Sequence, residues 1–158
     1  MNTPQSPQLH KHIVSGSAFS FGNLVHIENE LLLETKNQLY KVSGVQMRNE
    51  NDFPDSDSVI GLDHIGSIRT YSQFNQFVKP IVITEDWMQK FKQIRKTAKN
   101  KWFISLAHLK SEINIELFKG CFVFSIQNDM GIFWLPDYKF IHEIQNLCKS
   151  LNAELSLS

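Results

Sequence analysis

Lys79-Pro-Ile-Val-Ile-Thr-Glu-Asp-Trp-Met-Gln-Lys-Phe91 is the stretch at which the chain passes from short alternating runs to helical spacing. Pro80 lacks an N–H and holds its φ near −65°, so it stops strand pairing. Ile81-Val82-Ile83 is a short apolar run that reads as buried. Thr84 is a suitable N-cap because its hydroxyl accepts from N–H groups two or three residues on, and Glu85 and Asp86 place negative charge at the positive end of the helix dipole. Trp87, Met88, Phe91 and Ile94 then share one helical face, which predicts a helix from about Glu85 to about Lys96. The stretch reads as a joint, with Ile81 to Ile83 on the side before it and Trp87, Met88 and Phe91 on the side after it.

Before the joint the signals are those of strands. Leu24-Val-His-Ile27, Glu30-Leu-Leu-Leu-Glu-Thr35, Leu39-Tyr-Lys-Val-Ser-Gly-Val45 and Val59-Ile-Gly-Leu62 are short runs of strand character, and Ile65-Gly-Ser-Ile68 is a further candidate. In the third run Leu39, Lys41, Ser43 and Val45 alternate against Tyr40 and Val42, and Gly44 marks a bulge or bend. Short strands with glycine at the corners predict a small, partly open barrel of the Src-homology-3-like kind over residues 19–79. Residues 1–18, rich in Asn, Gln, Ser, Pro and His, read as a flexible leader.

After the joint come Trp102-Phe-Ile-Ser-Leu-Ala107, Glu112-Ile-Asn-Ile-Glu-Leu-Phe118, Gly120-Cys-Phe-Val-Phe-Ser-Ile126 and Gly131-Ile-Phe-Trp-Leu135, separated by turn-like Lys119-Gly120 and Asn128-Asp129. The strict alternation of Ile113, Ile115 and Leu117 with Glu112, Asn114 and Glu116 predicts an antiparallel meander with one wet face. Asp137 is placed to cap a second helix, whose Phe140, Ile141, Ile144, Leu147, Cys148 and Leu151 form an apolar stripe over the meander, with His142 and Glu143 facing out. Glu154 to Leu157 reads as a last edge strand. The fold class is therefore α+β: a small barrel, a helix, an antiparallel meander and a C-terminal amphipathic helix, with residues 19–79 and 80–158 packed as one unit.

Composition bounds the function. The 158 residues are 42% hydrophobic, and 16 Lys plus Arg balance 16 Asp plus Glu, so no global field draws the protein to nucleic acid or to an acidic membrane. No apolar run approaches the ~18 residues of a membrane span and no signal-peptide pattern opens the chain, which predicts a soluble cytoplasmic protein. Cys121 and Cys148 form no framework and no CxxC pair. Cys148, inside the helical stripe, reads as a buried inert thiol.

Local chemistry is sparse. His10 and His12 are an HxH pair with no third ligand nearby, and the acidic loop around Glu50, Asp52, Asp55 and Asp57 lacks the spacing and glycine of a calcium loop, so no metal site is expected. Asp63 and His64 are neighbours in a strand and point to opposite faces. Six histidines, at 10, 12, 26, 64, 108 and 142, leave open a convergence in space. No phosphate-binding glycine loop, nucleophile elbow or HExxH motif is present, so no catalytic residue and no cofactor are assigned. Arg69, Tyr71, Gln73 and Asn75, in a segment dense in amides and aromatics, are candidate partner-binding residues. Lys92, Arg95, Lys96, Lys99 and Lys101, with Lys90 and the aromatic Trp102, form the one basic concentration and are candidate nucleic-acid contacts.

Pro80-Ile-Val-Ile-Thr-Glu-Asp-Trp-Met-Gln-Lys-Phe91, Ile141-His-Glu-Ile-Gln-Asn-Leu147, Leu151-Asn-Ala-Glu-Leu155, Phe21-Gly-Asn-Leu-Val25 and Tyr40-Lys-Val-Ser-Gly44 occur in that spacing over roughly residues 20–155. This set resembles a family of small uncharacterised proteins from Bacteroidetes genomes and their prophages, which carries segments of the types "PIPLTEEWLLKFGF" and "VHQLQNLYFALTGEEL". Lys92 stands where that pattern has Gly. The resemblance implies a shared lineage and a mobile-element setting, and it carries over no activity, cofactor or site residue.

Together these readings point to a non-catalytic binding or adaptor protein whose partner is a protein or a small molecule. In the setting that the resemblance implies, it would act on a host or defence component. The alternative is a nucleic-acid-binding accessory protein using the basic residues at 90–101, and a third class is an enzyme without a recognised motif. No membrane partner is expected.

Overall fold

The computed structural model describes residues 16–28, 38–47 and 58–158. The expected run at 30–35, the acidic residues at 50–57, the His10 and His12 pair and residues 1–15 of the expected leader lie outside the described residues. Within them, Gly16–Ala18 form a 3-10 turn.

Five strands build the first sheet: β1 (Leu24–Ile27), β2 (Leu39–Met47), β3 (Ser58–His64), β4 (Thr70–Phe74) and β5 (Val78–Pro80). They are ordered β4-β3-β2-β1-β5, and each neighbouring pair is antiparallel. The β-rich reading of this half holds, but β4 and β5 are opposite edges with no ladder between them, so the barrel is not closed. Ile65 to Ile68 form no strand. They make the turn from β3 to β4, with Gly66 at φ +94°.

The bulge expected at Gly44 is present, as the β2–β3 register shifts between Val42 and Gly44. Its effect is a change of parity that simple alternation does not foresee. Tyr40 and Val42 face a core made with Phe19, Val25, Ile27, Ile60, Leu62 and Val78, and after the bulge the odd-numbered Val45 joins them. Leu39, on the opposite face, packs toward the other half.

The second sheet is β6 (Ile94–Ala98), β7 (Lys101–Leu106), β8 (Ser111–Phe118), β9 (Cys121–Asn128) and β10 (Gly131–Trp134), ordered β10-β9-β8-β7-β6. The last four strands are the expected meander. The first replaces the end of an expected helix. Helix α1 is a single turn, Glu85–Met88, with Thr84 Oγ1 accepting the Trp87 N–H at 3.2 Å as the cap reading requires. Residues 89–93 then turn, and Ile94, Arg95 and Lys96 pair with Ile104, Phe103 and Trp102 of β7. Met88, Phe91 and Ile94 are buried together as their spacing implied, but one helical turn, a tight turn and a strand achieve it. Tertiary pairing has outweighed a short periodic pattern running only from Trp87 to Ile94.

Helix α2 (Ile141–Ser150) begins four residues beyond Asp137, which caps nothing. The intervening segment first pairs with the joint: Ile83 N–H donates to Lys139 C=O at 2.9 Å and Ile141 N–H to Ile81 C=O at 2.8 Å. The first turn of α2 is closed by the Glu143 carboxylate, which accepts the N–H groups of Lys139 and Phe140 at 2.7 and 2.8 Å. Ile144 and Cys148 cover the meander as expected, whereas His142 is buried instead of facing out.

One large core joins the halves. It holds Leu24 of β1, Ile81 and Ile83 of the joint, Met88, Phe91, Trp102, Ile113, Phe124 and the stripe of α2. Ile81 and Ile83 thus belong to the second half, not to the barrel side. The expected terminal strand is reduced to a single bridge, Leu157 with Phe91, reinforced by Ser158 N–H donating to Lys90 C=O at 2.7 Å.

Candidate functional site

The alternation that buries Trp102, Ile104, Ile113, Ile115 and Phe124 on one face of the second sheet leaves the opposite face partly in solvent, with Phe103 and Asn114 half-buried and Ser125 buried. Directly opposed residues of an antiparallel pair lie on the same side. The register therefore aligns Arg95, Phe103, Asn114, Ser125 and Trp134 in one row across all five strands. At ~4.8 Å per strand that row spans roughly 19 Å. Beside it run Ser105, Glu112, Gln127 and Ile132 in a second row.

The ends of this face differ. Arg95 and Lys96 on β6 and Lys99 in the turn after it are exposed and a register shift lies between Lys96 and Ala98, so charge and a bulge protect that edge from further pairing. The β10 edge has neither device. Gly131 to Leu135 carry no charge, Trp134 is 73% exposed and Ile132 57%, and Phe133 stands exposed on the other side of the strand. Exposed aromatics on an unpaired strand are uncommon on a protein surface without a partner.

The basic residues singled out from the sequence do not form one helical face. They are spread along the 90–101 segment and alternate between sides of the β6–β7 hairpin. Lys96 Nζ reaches Glu85 at 3.3 Å and Lys101 Nζ reaches Glu116 at 3.4 Å. Lys90 Nζ sits 3.9 Å above the Trp87 ring. Lys92 and Lys99 are exposed in turns, and Arg95 alone of the set joins the cross-strand row. Trp102 is buried in the core, edge-on to Phe122, and offers nothing to a stacked base.

The other candidate set is also divided. Arg69 is exposed in the turn before β4. Tyr71 and Gln73 oppose Leu62 and Ile60, so they point to the inner face of the first sheet, where Tyr71 packs edge-on against Tyr40. Asn75 is buried in the 3-10 turn that follows.

The described histidines do not converge. His26 meets the Gln38 carbonyl and the Trp87 ring, His64 the Tyr40 ring, His108 the Leu151 carbonyl, and His142 the rings of Phe19 and Phe140. Among the described residues no three His, Cys, Asp or Glu side chains are grouped to hold a metal ion. No helix among them is long and apolar enough to cross a membrane. Burial pushes the Cys148 thiol up to about 12 and lowers the His142 pKa, with Glu143 opposing the latter.

The row on the second sheet was hard to find in the sequence because it depends on pairing. Arg95 was legible as a cation, and Trp134 only as the end of an apolar run. No family model, no curated protein and no solved structure matches this chain.

Proposed function

We propose that this chain is a non-catalytic binding protein that docks another polypeptide along the β10 edge and the solvent face of the second sheet. The observation that carries this reading is the exposure of Trp134 and Ile132 on an uncharged edge that pairs with no other strand among the described residues. A strand added beyond β10 would take up its free backbone groups, and side chains of the same partner would lie along Trp134, Asn114, Phe103 and Arg95. Trp and Arg are the residue types that most often anchor such interfaces. A second copy of this chain is the other occupant to consider. Crosslinking distinguishes that occupant from a foreign polypeptide.

The first sheet acts as scaffold in this reading. Its order, in which a single 3-10 turn separates β4 from β5 and β5 pairs with β1, supports the Src-homology-3-like description. The basic residues supply too few unpaired cations on any one face to favour nucleic acid as the partner.

A photo-crosslinking residue placed at position 134 tests the proposal in cells of the native host. It should capture a discrete polypeptide, whereas the same residue at position 99 on the basic edge should not. Crosslinks to nucleic acid, to other copies of this chain alone, or equally from both positions would overturn the reading.

A further inference from the structure

The docking face leaves unused a cleft of about 410 Å³ where the two halves meet. One wall comes from the first half, with Phe21 and Gly22 in the turn before β1 and Lys41 on β2. The other comes from the second half, with Gln145 and Lys149 one helical turn apart on α2, followed by residues 152–155. The volume lies within the range of small-molecule sites.

Local geometry builds each wall. At the end of α2, Ala153 N–H donates to Cys148 C=O at 2.8 Å and Asn152 N–H to Lys149 C=O at 3.0 Å, with Asn152 in the left-handed region at φ +53°. This is a Schellman ending, and it turns residues 152–155 back to close the cleft. Opposite, Gly22 has φ +91°, and a Cβ there would sit 3.5 Å from Lys41 Cε, so the lysine stem runs across the face that the glycine leaves bare.

Among the described residues the charges in the cleft form no ion pairs. Lys41 and Lys149 are the basic side chains of the lining, and Glu154 is the one acidic side chain. Two ammonium groups against one carboxylate leave a net positive site. Phe21, 65% exposed at the rim, adds an aromatic face. Gln145 already spends its amide on backbone groups of the first half, so the wall is held in place before any ligand arrives.

We propose that this cleft binds a small organic anion of about mononucleotide size. Its phosphate or carboxylate lies between Lys41 and Lys149, its ring rests on Phe21, and a hydroxyl or amino group donates to Glu154. Because each half contributes a cation, an occupied cleft clamps the halves together.

Titration calorimetry and thermal unfolding in low-salt chloride buffer test this with three probes. These are adenosine 5′-monophosphate, 4-hydroxyphenylacetate and inorganic phosphate. At least one of the two ring-bearing anions should bind more tightly than inorganic phosphate and raise Tm, and which of them does so distinguishes phosphate from carboxylate recognition. Lys149→Ala and Lys41→Ala should each weaken that binding by about 10-fold or more. Phe21→Ala should weaken it less, and Lys99→Ala should leave it unchanged. Bound ligand should also slow amide exchange at both 21–24 and 149–155, a response that a purely electrostatic surface effect would not give. The proposal is overturned if neither ring-bearing anion binds at millimolar concentration, if inorganic phosphate binds as tightly as both, or if binding survives loss of both lysines.

Discussion

The side-chain carbonyl of Gln145 accepts the backbone N–H of Leu24 at 2.9 Å, so a polar group on α2 completes the pairing of the first residue of β1. Beside it the Asn23 amide donates to Asn146 Oδ1 at 2.9 Å, and the Asn146 amide donates to Ala18 C=O at 3.1 Å. The polar flank of α2 therefore recognises the backbone of the first half while its apolar stripe covers the second. Gln145→Ala leaves the part-buried Leu24 N–H without its acceptor and should cost about 1–2 kcal/mol. Urea unfolding followed by tryptophan fluorescence and by far-ultraviolet circular dichroism should shift together. Separate shifts would show that the halves unfold independently.

Trp87 makes a second link. Its ring is edge-on to His26 of β1 at 6.3 Å and packs on the shared core, while remaining partly exposed. Trp87→Ala should destabilise the whole protein by about 1.5–3 kcal/mol, below the ~3–5 kcal/mol of a fully buried aromatic. Calorimetry should show one transition at lower Tm. A two-step melt with only one step moved would contradict a common core.

How far these links could be read from the sequence depends on their range. The meander was legible because Glu112 to Phe118 alternate strictly and turns separate the strands. The Gly44 bulge was legible because glycine inside a strand has few other uses. The fate of Val45 was not, since parity after a bulge depends on which residue is skipped. Likewise Ile94 to Lys96 carried helical spacing, and only the presence of β7 draws them into a strand. The outward placement of His142 failed because the sequence does not show that Phe19, more than a hundred residues earlier, packs against it. The row from Arg95 to Trp134 exists only once four registers are fixed, so no local pattern announces it.

His142 makes stability depend on pH. Its ring lies 5.0 Å from that of Phe19 and is stacked on Phe140 at 5.7 Å, and its Nδ1 is buried with no partner among the described residues. Burial lowers its pKa in the folded state, outweighing the opposing pull of Glu143. The unfolded chain then binds the proton more readily than the folded one. The stability contribution is intact above the unfolded value of about 6.5 and is lost as pH falls through it toward the lower folded value. The urea midpoint should therefore drop between about pH 7.5 and 5.5. His142→Phe, which keeps a ring between two aromatics, should flatten that dependence. An equal slope in the variant would assign it to other groups.

The exposed edge should be separable from folding. Ile132→Lys with Trp134→Lys alters side chains that are mostly in solvent, so stability should change by no more than about 0.5 kcal/mol each. The same pair places charge on an edge that lacks it and should abolish strand addition. Unchanged Tm with lost partner capture is the expected combination. A large fall in Tm would instead mean that these side chains belong to the fold.

The two cysteines offer a probe of the shared core. Cys121 is exposed at the start of β9, whereas Cys148 is buried among the α2 stripe with its thiol pushed up to about 12. The thiolate is the reacting form, so at about pH 8 only ~1 in 10,000 Cys148 thiols would be ionised, even with access. Ellman's reagent should accordingly titrate one thiol quickly in the native protein and two in urea. In a Cys121→Ser variant the remaining reaction should be slow, and its rate should rise with Gln145→Ala or Trp87→Ala, because access to Cys148 requires the joint core to open. Rapid labelling of Cys148 that those substitutions leave unchanged would mean that α2 lifts from the meander without disturbing the contacts between the halves.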